Sequence, residues 1–194
     1  MNVVPSRVRR SGRCGIGGAA AVLALAIAPG GGAAAARVAL APQRSSAGRC
    51  AATRVHYTPY RGAEPGLAGL PWIAASPRSS ALVGHLFYYD RLNVWRRRRL
   101  RGARIYTGGQ SPHGRVGMKI LWELRRGSAL ILRVQGRRLD GRGSFSQELP
   151  PAGSTQFQFP SIIVVPTPGC WRLTLQAGTA TGRVTMLAVP GKAS

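Results

Sequence analysis

Acidic side chains are scarce in this sequence. Only 5 residues are Asp or Glu, against 28 Lys or Arg, so the 194-residue chain has a formal net charge of +23 at pH 7. The carboxylates are scattered, each with an arginine nearby in the sequence: Glu64, Asp90, Glu123, Asp140 and Glu148. This pattern indicates charge balancing and no local acid and base pair, although the two carboxylates of a glycosidase come together only in the fold.

The spacings that metal sites and common catalytic motifs require are also missing. His56, His85 and His113 are far apart, and Cys170 has no Cys-x-x-Cys partner, so we expect no metal site. The nearest approach to a hydrolase motif is Gly109-Gln110-Ser111-Pro112-His113, which departs from Gly-x-Ser-x-Gly and lacks a following helix pattern. After residue 36 no glycine loop could cradle a phosphate. We therefore expect neither enzymatic activity nor a cofactor.

Arginine, in contrast, is abundant. Only Lys119 and Lys192 are lysines, so 26 of the 28 basic residues are arginines, and they are spread along the whole chain. One explanation is a polyanionic partner such as nucleic acid, an acidic cell-wall polymer or anionic lipid. The other is compositional bias, since Ala, Gly and Pro are abundant too, as in a GC-rich coding sequence. The even spread favours bias, but the positive field would attract acidic neighbours under either explanation.

The densest group of arginines follows Trp95. It has five arginines in six positions: Arg96, Arg97, Arg98, Arg99 and Arg101. These side chains would repel each other if buried, so they should lie on an exposed loop or edge. They could bind phosphates, with Trp95, Tyr88 and Tyr89 as stacking surfaces, or they could form a solvated loop between strands. We expect no specific nucleic-acid recognition, because no groove-reading helix or zinc finger is present.

The N-terminal residues 1–36 have the three parts of a secretory signal peptide. Four arginines at positions 7–13 precede an uncharged apolar run at 15–28, and small residues follow up to Ala36. Cleavage after Ala36 would remove those arginines and leave a formal charge of +19. An uncleaved membrane anchor is the alternative, because the 23 residues from 14 to 36 carry no charge. Both interpretations predict a secreted or extracytoplasmic protein.

The rest of the chain divides at about residue 81. Residues 37–80 are rich in Pro, Gly and Ala without periodicity, which predicts a flexible lead-in. From 81 onward, short apolar runs alternate with Gly and Pro, as in an all-β domain covering 81–194. The clearest strand is 116–124, in which every second residue is apolar from Val116 to Leu124.

Further strands are predicted on the same grounds. The alternation recurs at 130–134 and 171–176, a closing strand covers 183–189, and weaker candidates are 82–89, 103–107, 144–149 and 156–159. Arg125-Arg126-Gly127-Ser128 suits a hairpin turn between the first two clear strands. Seven or eight short strands without a convincing amphipathic helix predict two stacked antiparallel sheets, an immunoglobulin-like β-sandwich.

Several segments resemble a family of uncharacterised bacterial secreted proteins. The similarity covers residues 82–189 and includes Leu86-Phe87-Tyr88-Tyr89, Ile105-Tyr106-Thr107-Gly108-Gly109, Met118-Lys119-Ile120-Leu121-Trp122, Gly136-Arg137-Arg138-Leu139-Asp140, Phe159-Pro160-Ser161-Ile162-Ile163 and Val165-Pro166-Thr167-Pro168-Gly169-Cys170-Trp171. The Pro-Gly-Cys-Trp motif is also similar to the last hairpin of many immunoglobulin-like domains. The resemblance implies an extracytoplasmic sandwich and no known activity.

The cysteines suggest one disulfide bond. Cys14 would leave with the signal peptide, so Cys50 and Cys170 remain as an even pair in an oxidising compartment. Two free thiols are the alternative. Cys170 has the opposite parity to the apolar Trp171, so a bond would attach the lead-in to the outer face or edge of a sheet.

The sequence leaves three functional hypotheses open. The first is a non-catalytic extracytoplasmic binding or structural module of the bacterial cell envelope. The second is a secreted hydrolase whose site is assembled only in the fold. The third is an arginine-mediated binder of polyanions, whose partner would be an acidic cell-envelope polymer or an anionic membrane surface.

Overall fold

The strands form two sheets, and the apolar side chains on one face of each sheet pack against each other. The computed structural model of the protein describes residues 50–61, 64 and 66–192, all within one unit, Gln43–Ser194. The predicted export segment 1–36 and its cleavage point lie outside the described residues. The strands are β1 Trp72–Ala74, β2 Leu82–Leu86, β3 Arg104–Tyr106, β4 Lys119–Leu124, β5 Leu132–Arg138, β6 Ser144–Leu149, β7 Gln158–Ile162, β8 Gly169–Ala177 and β9 Ala180–Val189. The helices are α1 Phe87–Leu92, α2 Val94–Arg97 and a 3-10 turn Arg78–Ser80.

The central strands follow the order of an immunoglobulin-like sandwich. One sheet has the order β1-β2-β4-β7 and the other β3-β9-β8-β5-β6, and among the strand pairs of the described residues only β3 and β9 are parallel. The neighbours β4 and β7 correspond to immunoglobulin strands B and E, and β5, β8 and β9 correspond to C, F and G. The predicted fold class is therefore confirmed, with nine strands among the described residues where seven or eight were expected.

The core lies between the sheets and is closed by large side chains. The fully buried residues of the alternating segments include Met118, Ile120, Trp122, Leu132, Trp171, Leu173 and Leu175, whereas Leu130, which shares the alternation at 130–134, is 73% exposed. Gly84 of β2 lies directly opposite Trp122 of β4. A Cβ atom at Gly84 would be 2.8 Å from Cζ3 of Trp122, so the indole ring fits here only because residue 84 has no side chain.

The predicted hairpin at Arg125–Ser128 is wrong. This segment crosses from one sheet to the other, because β4 pairs with β2 and β7 whereas β5 pairs with β6 and β8. The apolar faces of β4 and β5 meet across the core. Alternation alone does not distinguish two strands that pair side by side from two that face each other.

Two other boundaries differ from the sequence expectation. The predicted strand 82–89 ends at Leu86, and α1 begins at Phe87. The ordered domain also begins before residue 81: His56 N donates to Trp72 O at 2.8 Å, and Val55 and Ile73 are buried. These residues of the predicted lead-in are held by long-range pairing, which leaves no local periodicity in the sequence. No helix in the described part of the chain is long and apolar enough to span a membrane.

Candidate functional site

The five clustered arginines occupy a corner that is anchored by Trp95. We call Arg96–Arg99 and Arg101 the arginine corner. Trp95 in α2 is 5% exposed and packs on three tyrosines, with ring centroids 5.9 Å from Tyr88, 5.1 Å from Tyr89 and 4.8 Å from Tyr106. The hydroxyl of Tyr57 donates to the carbonyl of Leu100 at 3.2 Å. The backbone beneath the arginines is thus fixed on both sides.

The arginine side chains themselves are exposed, as their mutual repulsion requires. Arg96 forms an ion pair with Asp90. Within the described residues, none of the other four forms a salt bridge. Their positive charges are therefore left to solvent and counterions, and a field of one sign surrounds this corner.

The three aromatic residues that the sequence suggests as stacking surfaces at the corner cannot stack on a ligand. Tyr88 and Tyr89 are fully buried, and the Tyr88 hydroxyl donates to the carbonyl of Arg104 at 2.8 Å. Burial raises the pKa of Tyr88 well above its ordinary value, and the neighbouring Tyr89 raises this pKa further. The expectation that Trp95, Tyr88 and Tyr89 offer stacking surfaces is wrong, because α1 and α2 turn all three rings into the core.

Cys50 and Cys170 form a disulfide bond with a Cα–Cα distance of 5.4 Å. Beyond Cys50 the chain follows the edge of the five-stranded sheet. Thr53 N donates to Thr185 O of β9, and Ala103 N donates to Thr53 O, both at 2.8 Å. The bond therefore attaches the N-terminal segment to a sheet edge, in agreement with the parity of Cys170.

The carboxylates are held separately and form no shared site. Glu64 is exposed, and the other four each pair with a different basic side chain: Asp90 with Arg96, Glu123 with His85, Asp140 with Arg138 and Glu148 with Arg133. The described residues contain no group of three or more His, Cys, Asp or Glu side chains that could hold a metal ion. Two of the four partners lie on a different, neighbouring strand of the sheet, so balancing is only partly local in sequence.

Ser111 and His113 lie in a tight loop between the bridged residues Gln110 and Gly117. Ser111 is buried, and its backbone N–H donates to Val116 O at 3.0 Å. His113 is exposed, and no hydrogen bond between these two side chains is among those of the described residues. The loop therefore lacks the strand–turn–helix geometry that exposes a catalytic serine.

A buried histidine–carboxylate pair was missed by the sequence reading. His85 Nε2 lies 3.3 Å from Glu123 Oε2 on the outer face of the four-stranded sheet, beneath Tyr60. His85 is fully buried, and its Nδ1 has no hydrogen-bond partner in the described part of the chain. A catalytic histidine uses its second nitrogen to activate a hydroxyl or thiol, and no such group lies at Nδ1. The sequence shows on which face of its strand each residue lies, but it does not show that β2 and β4 pair in the register that brings His85 close to Glu123.

The same sheet face carries an open groove of about 620 Å³. We call it the aromatic groove; the side chains that define it are His56, Tyr60, Trp72, Arg78, Arg125 and Arg126. His56 stacks on Trp72 with centroids 4.2 Å apart, and Tyr60 packs at 4.6 Å from Trp72. The Arg125 guanidinium lies 4.8 Å from the Tyr60 ring centroid. Sequence reasoning missed this groove because its residues come from four separate segments.

Two ring groups in the groove have shifted pKa values. Burial lowers the pKa of His56, and the positive charges of Arg54 and Arg78 lower it further. Burial raises the pKa of Tyr60, Arg125 opposes the shift, and Glu123 adds to it. Both groups therefore favour the neutral form at pH 7, so the arginines supply the positive charge of the groove.

Comparison with known proteins adds no assignment to these surfaces. No protein-family model, no curated protein and no solved structure matches this chain. The resemblance drawn from the Pro-Gly-Cys-Trp motif stays a prediction. Function therefore has to be inferred from the two cationic surfaces, the arginine corner and the aromatic groove.

Proposed function

We propose that this chain is exported and that its sandwich is a non-catalytic module that binds an acidic polymer of the cell envelope. The observation that supports this proposal best is the arginine corner. Arg97, Arg98, Arg99 and Arg101 are exposed and form no salt bridge within the described residues, and Trp95 fixes the backbone beneath them. Cations that no acidic side chain neutralises are available to an external anion.

The physical basis of binding would be charge neutralisation on a fixed surface. Arginine matches phosphate and carboxylate groups with a planar fork of donors. A polymer that carries closely spaced acidic groups would release condensed counterions when several arginines contact it. Because the turn is already ordered by Trp95 and Tyr57, the backbone would lose little conformational freedom on binding.

A non-catalytic role agrees with the arrangement of the reactive side chains. Four of the described carboxylates are held by separate basic groups, and Nδ1 of His85 contacts no nucleophile. Hydrolysis by a paired acid and base needs two carboxylates close together, and hydrolysis by a triad needs a nucleophile beside the histidine. Here these groups lie on different elements. The alternative of a secreted hydrolase therefore has no specific observation in its favour.

An envelope polymer is a better candidate than a specific nucleic-acid sequence. The two described α-helices have 6 and 4 residues, too short to read bases along a groove. The rings of Trp95, Tyr88 and Tyr89 at the corner are buried, so these three offer no stacking surface for single strands. The export segment would also keep the protein apart from cytoplasmic nucleic acid.

The test compares two variants with the same loss of charge. Arg97→Ser/Arg98→Ser/Arg99→Ser removes three cations from the corner, and Arg115→Ser/Arg142→Ser/Arg183→Ser removes three exposed arginines elsewhere. Binding to a poly(glycerol phosphate) polymer is measured by titration calorimetry, with anionic vesicles as a second probe. We expect the corner variant to lose at least about tenfold in affinity for the polymer, since each charge-assisted contact contributes about 1.5 kcal/mol or more.

The control variant should lose less than about threefold. Equal losses in both variants would contradict the proposal, because overall charge would then explain the binding. Binding to vesicles but not to the polymer would contradict it as well, since the partner would then be a membrane surface.

A further inference from the structure

The aromatic groove brings together cations and rings that are far apart in the sequence. His56 and Tyr60 come from the segment after Cys50, Trp72 from β1, Arg78 from the 3-10 turn, and Arg125 and Arg126 from the connection after β4. None of the residues that line the groove is Asp or Glu. This surface lies on the four-stranded sheet and shares no residue with the arginine corner.

The aromatic wall is held in position by backbone hydrogen bonds. His56 and Trp72 form an antiparallel bridge, in which the two backbone hydrogen bonds have N···O distances of 2.8 and 3.0 Å. The indole N–H of Trp72 donates to the carbonyl of Thr58 at 2.9 Å. Tyr60 is only 9% exposed and packs against Trp72, so the ring surface open to a ligand is that of the half-buried His56 and Trp72, which favours ligands with a flat or apolar ring face.

The groove has three guanidinium groups, more positive charge than a ligand with a single carboxylate would neutralise. Arg125 lies over Tyr60, while Arg78 and Arg126 are exposed and form no salt bridge within the described residues. A phosphate monoester carries a charge of about −1.5 to −2 at pH 7 and three acceptor oxygens, so it matches several guanidinium groups better than a carboxylate does.

We propose that the aromatic groove is a second binding site, independent of the arginine corner, for a small phosphate monoester whose organic part lies against the ring wall of His56 and Trp72. The volume of about 620 Å³ lies within the usual range for small-molecule sites. A sugar phosphate and a nucleoside monophosphate share this chemistry, and the experiment separates them.

His56 offers a reporter for the ligand. Its pKa is lowered by burial and by Arg54 and Arg78. A bound dianion would favour the imidazolium form and raise this pKa again. Trp72 offers a second reporter, because the other three tryptophans are at most 5% exposed and Trp72 alone is half-buried.

The experiment titrates the whole protein with inorganic phosphate, glucose 1-phosphate and adenosine 5′-monophosphate. Nuclear magnetic resonance follows the indole N–H of Trp72 and the imidazole signals of His56. We expect saturable shifts with at least one of the two esters, a higher pKa of His56 in the complex, and weaker binding of inorganic phosphate. The tighter of the two esters identifies the source of the phosphate group.

A pair of charge-matched variants locates the site. Arg78→Ser/Arg126→Ser should weaken ester binding by roughly tenfold per arginine, while polymer binding is retained. Arg97→Ser/Arg98→Ser removes the same charge from the arginine corner and should leave ester binding within about twofold. Because each double variant should affect only one ligand, the experiment distinguishes an error in the proposed ester site from an error in the proposed polymer binding.

Three results would overturn the proposal. The first is the absence of saturable shifts at Trp72 and His56 with both esters. The second is inorganic phosphate binding as tightly as the esters, since the ring wall would then contribute nothing. The third is an equal loss of ester binding in the two double variants, because net charge and not the groove would then be responsible.

Discussion

Arg137 of β5 lies directly opposite Arg172 of β8 on the outer face of the five-stranded sheet. Both side chains are exposed. Like charges directly opposite each other on neighbouring strands destabilise a sheet, because their side chains are only about 5 Å apart at Cβ. Part of the cationic character of this protein therefore opposes its own folding.

We expect Arg172→Thr to raise the free energy of unfolding by about 0.2–1 kcal/mol at low salt. The gain should shrink when salt is added, since screening weakens the repulsion that is removed. Urea unfolding at two salt concentrations measures both effects. Arg133→Thr is the control: Arg133 pairs with Glu148 at 2.9 Å, so its replacement should bring no gain.

The close approach of Gly84 and Trp122 predicts a large effect from one methyl group. Gly84→Ala would place Cβ 2.8 Å from Cζ3 of Trp122 and should destabilise the fold by about 1–3 kcal/mol. Gly69→Ala is the matched control, since no atom lies within 4 Å of its added Cβ. Thermal unfolding of both variants gives the comparison. Equal melting temperatures would mean that the ring of Trp122 does not lie against Gly84.

The disulfide bond and the proposed export segment make a joint prediction. If residues 1–36 direct export and are cleaved off, the mature protein should begin near Arg37 and contain no free thiol, because Cys14 would be removed and Cys50 is bonded to Cys170. Mass spectrometry with thiol alkylation measures both. Reduction of the bond should lower the free energy of unfolding by about 2–5 kcal/mol. Two alkylated cysteines in the untreated protein would refute the pairing.

His56 predicts a small dependence of stability on pH. Its pKa in the folded state is lowered from the ordinary value of 6.5, first by burial and then by Arg54 and Arg78. The unfolded chain therefore binds a proton more readily, and stability should fall as pH drops from about 7 through the lowered pKa. His56→Gln should flatten this part of the curve, measured as the difference in unfolding free energy from the parent between pH 7.5 and pH 5. A steeper fall in the variant would contradict the assignment.

The sheet pattern was readable from sequence wherever a strand has one buried face. Alternation identified β4, β5, β8 and β9, and most of the apolar residues in these alternating segments are buried, although Leu130 is 73% exposed. Pairing was not readable, because alternation gives a side chain's face but not its neighbour. For this reason the sequence predicts a hairpin turn at Arg125–Ser128, although this segment connects the two sheets.

The candidate sites differ in the same way. The arginine corner is contiguous, so charge repulsion alone predicted its exposure. The aromatic groove depends on His56 meeting Trp72, and on both meeting Arg125, through pairings between distant segments. The burial of Tyr88 and Tyr89 depends on the short helix α1, which has no amphipathic repeat long enough to detect.

The salt dependence of polymer binding tests the central claim most directly. The logarithm of the association constant for poly(glycerol phosphate) is measured against the logarithm of salt concentration, for the parent, for Arg97→Ser/Arg98→Ser/Arg99→Ser and for the charge-matched control Arg115→Ser/Arg142→Ser/Arg183→Ser. Because each neutralised acidic group releases about one counterion, the corner variant should have a slope shallower by about 2 to 3, while the control keeps the parent slope. If the two variants show the same slope, the arginine corner is a solvated turn and the polymer is held by the overall charge of the protein.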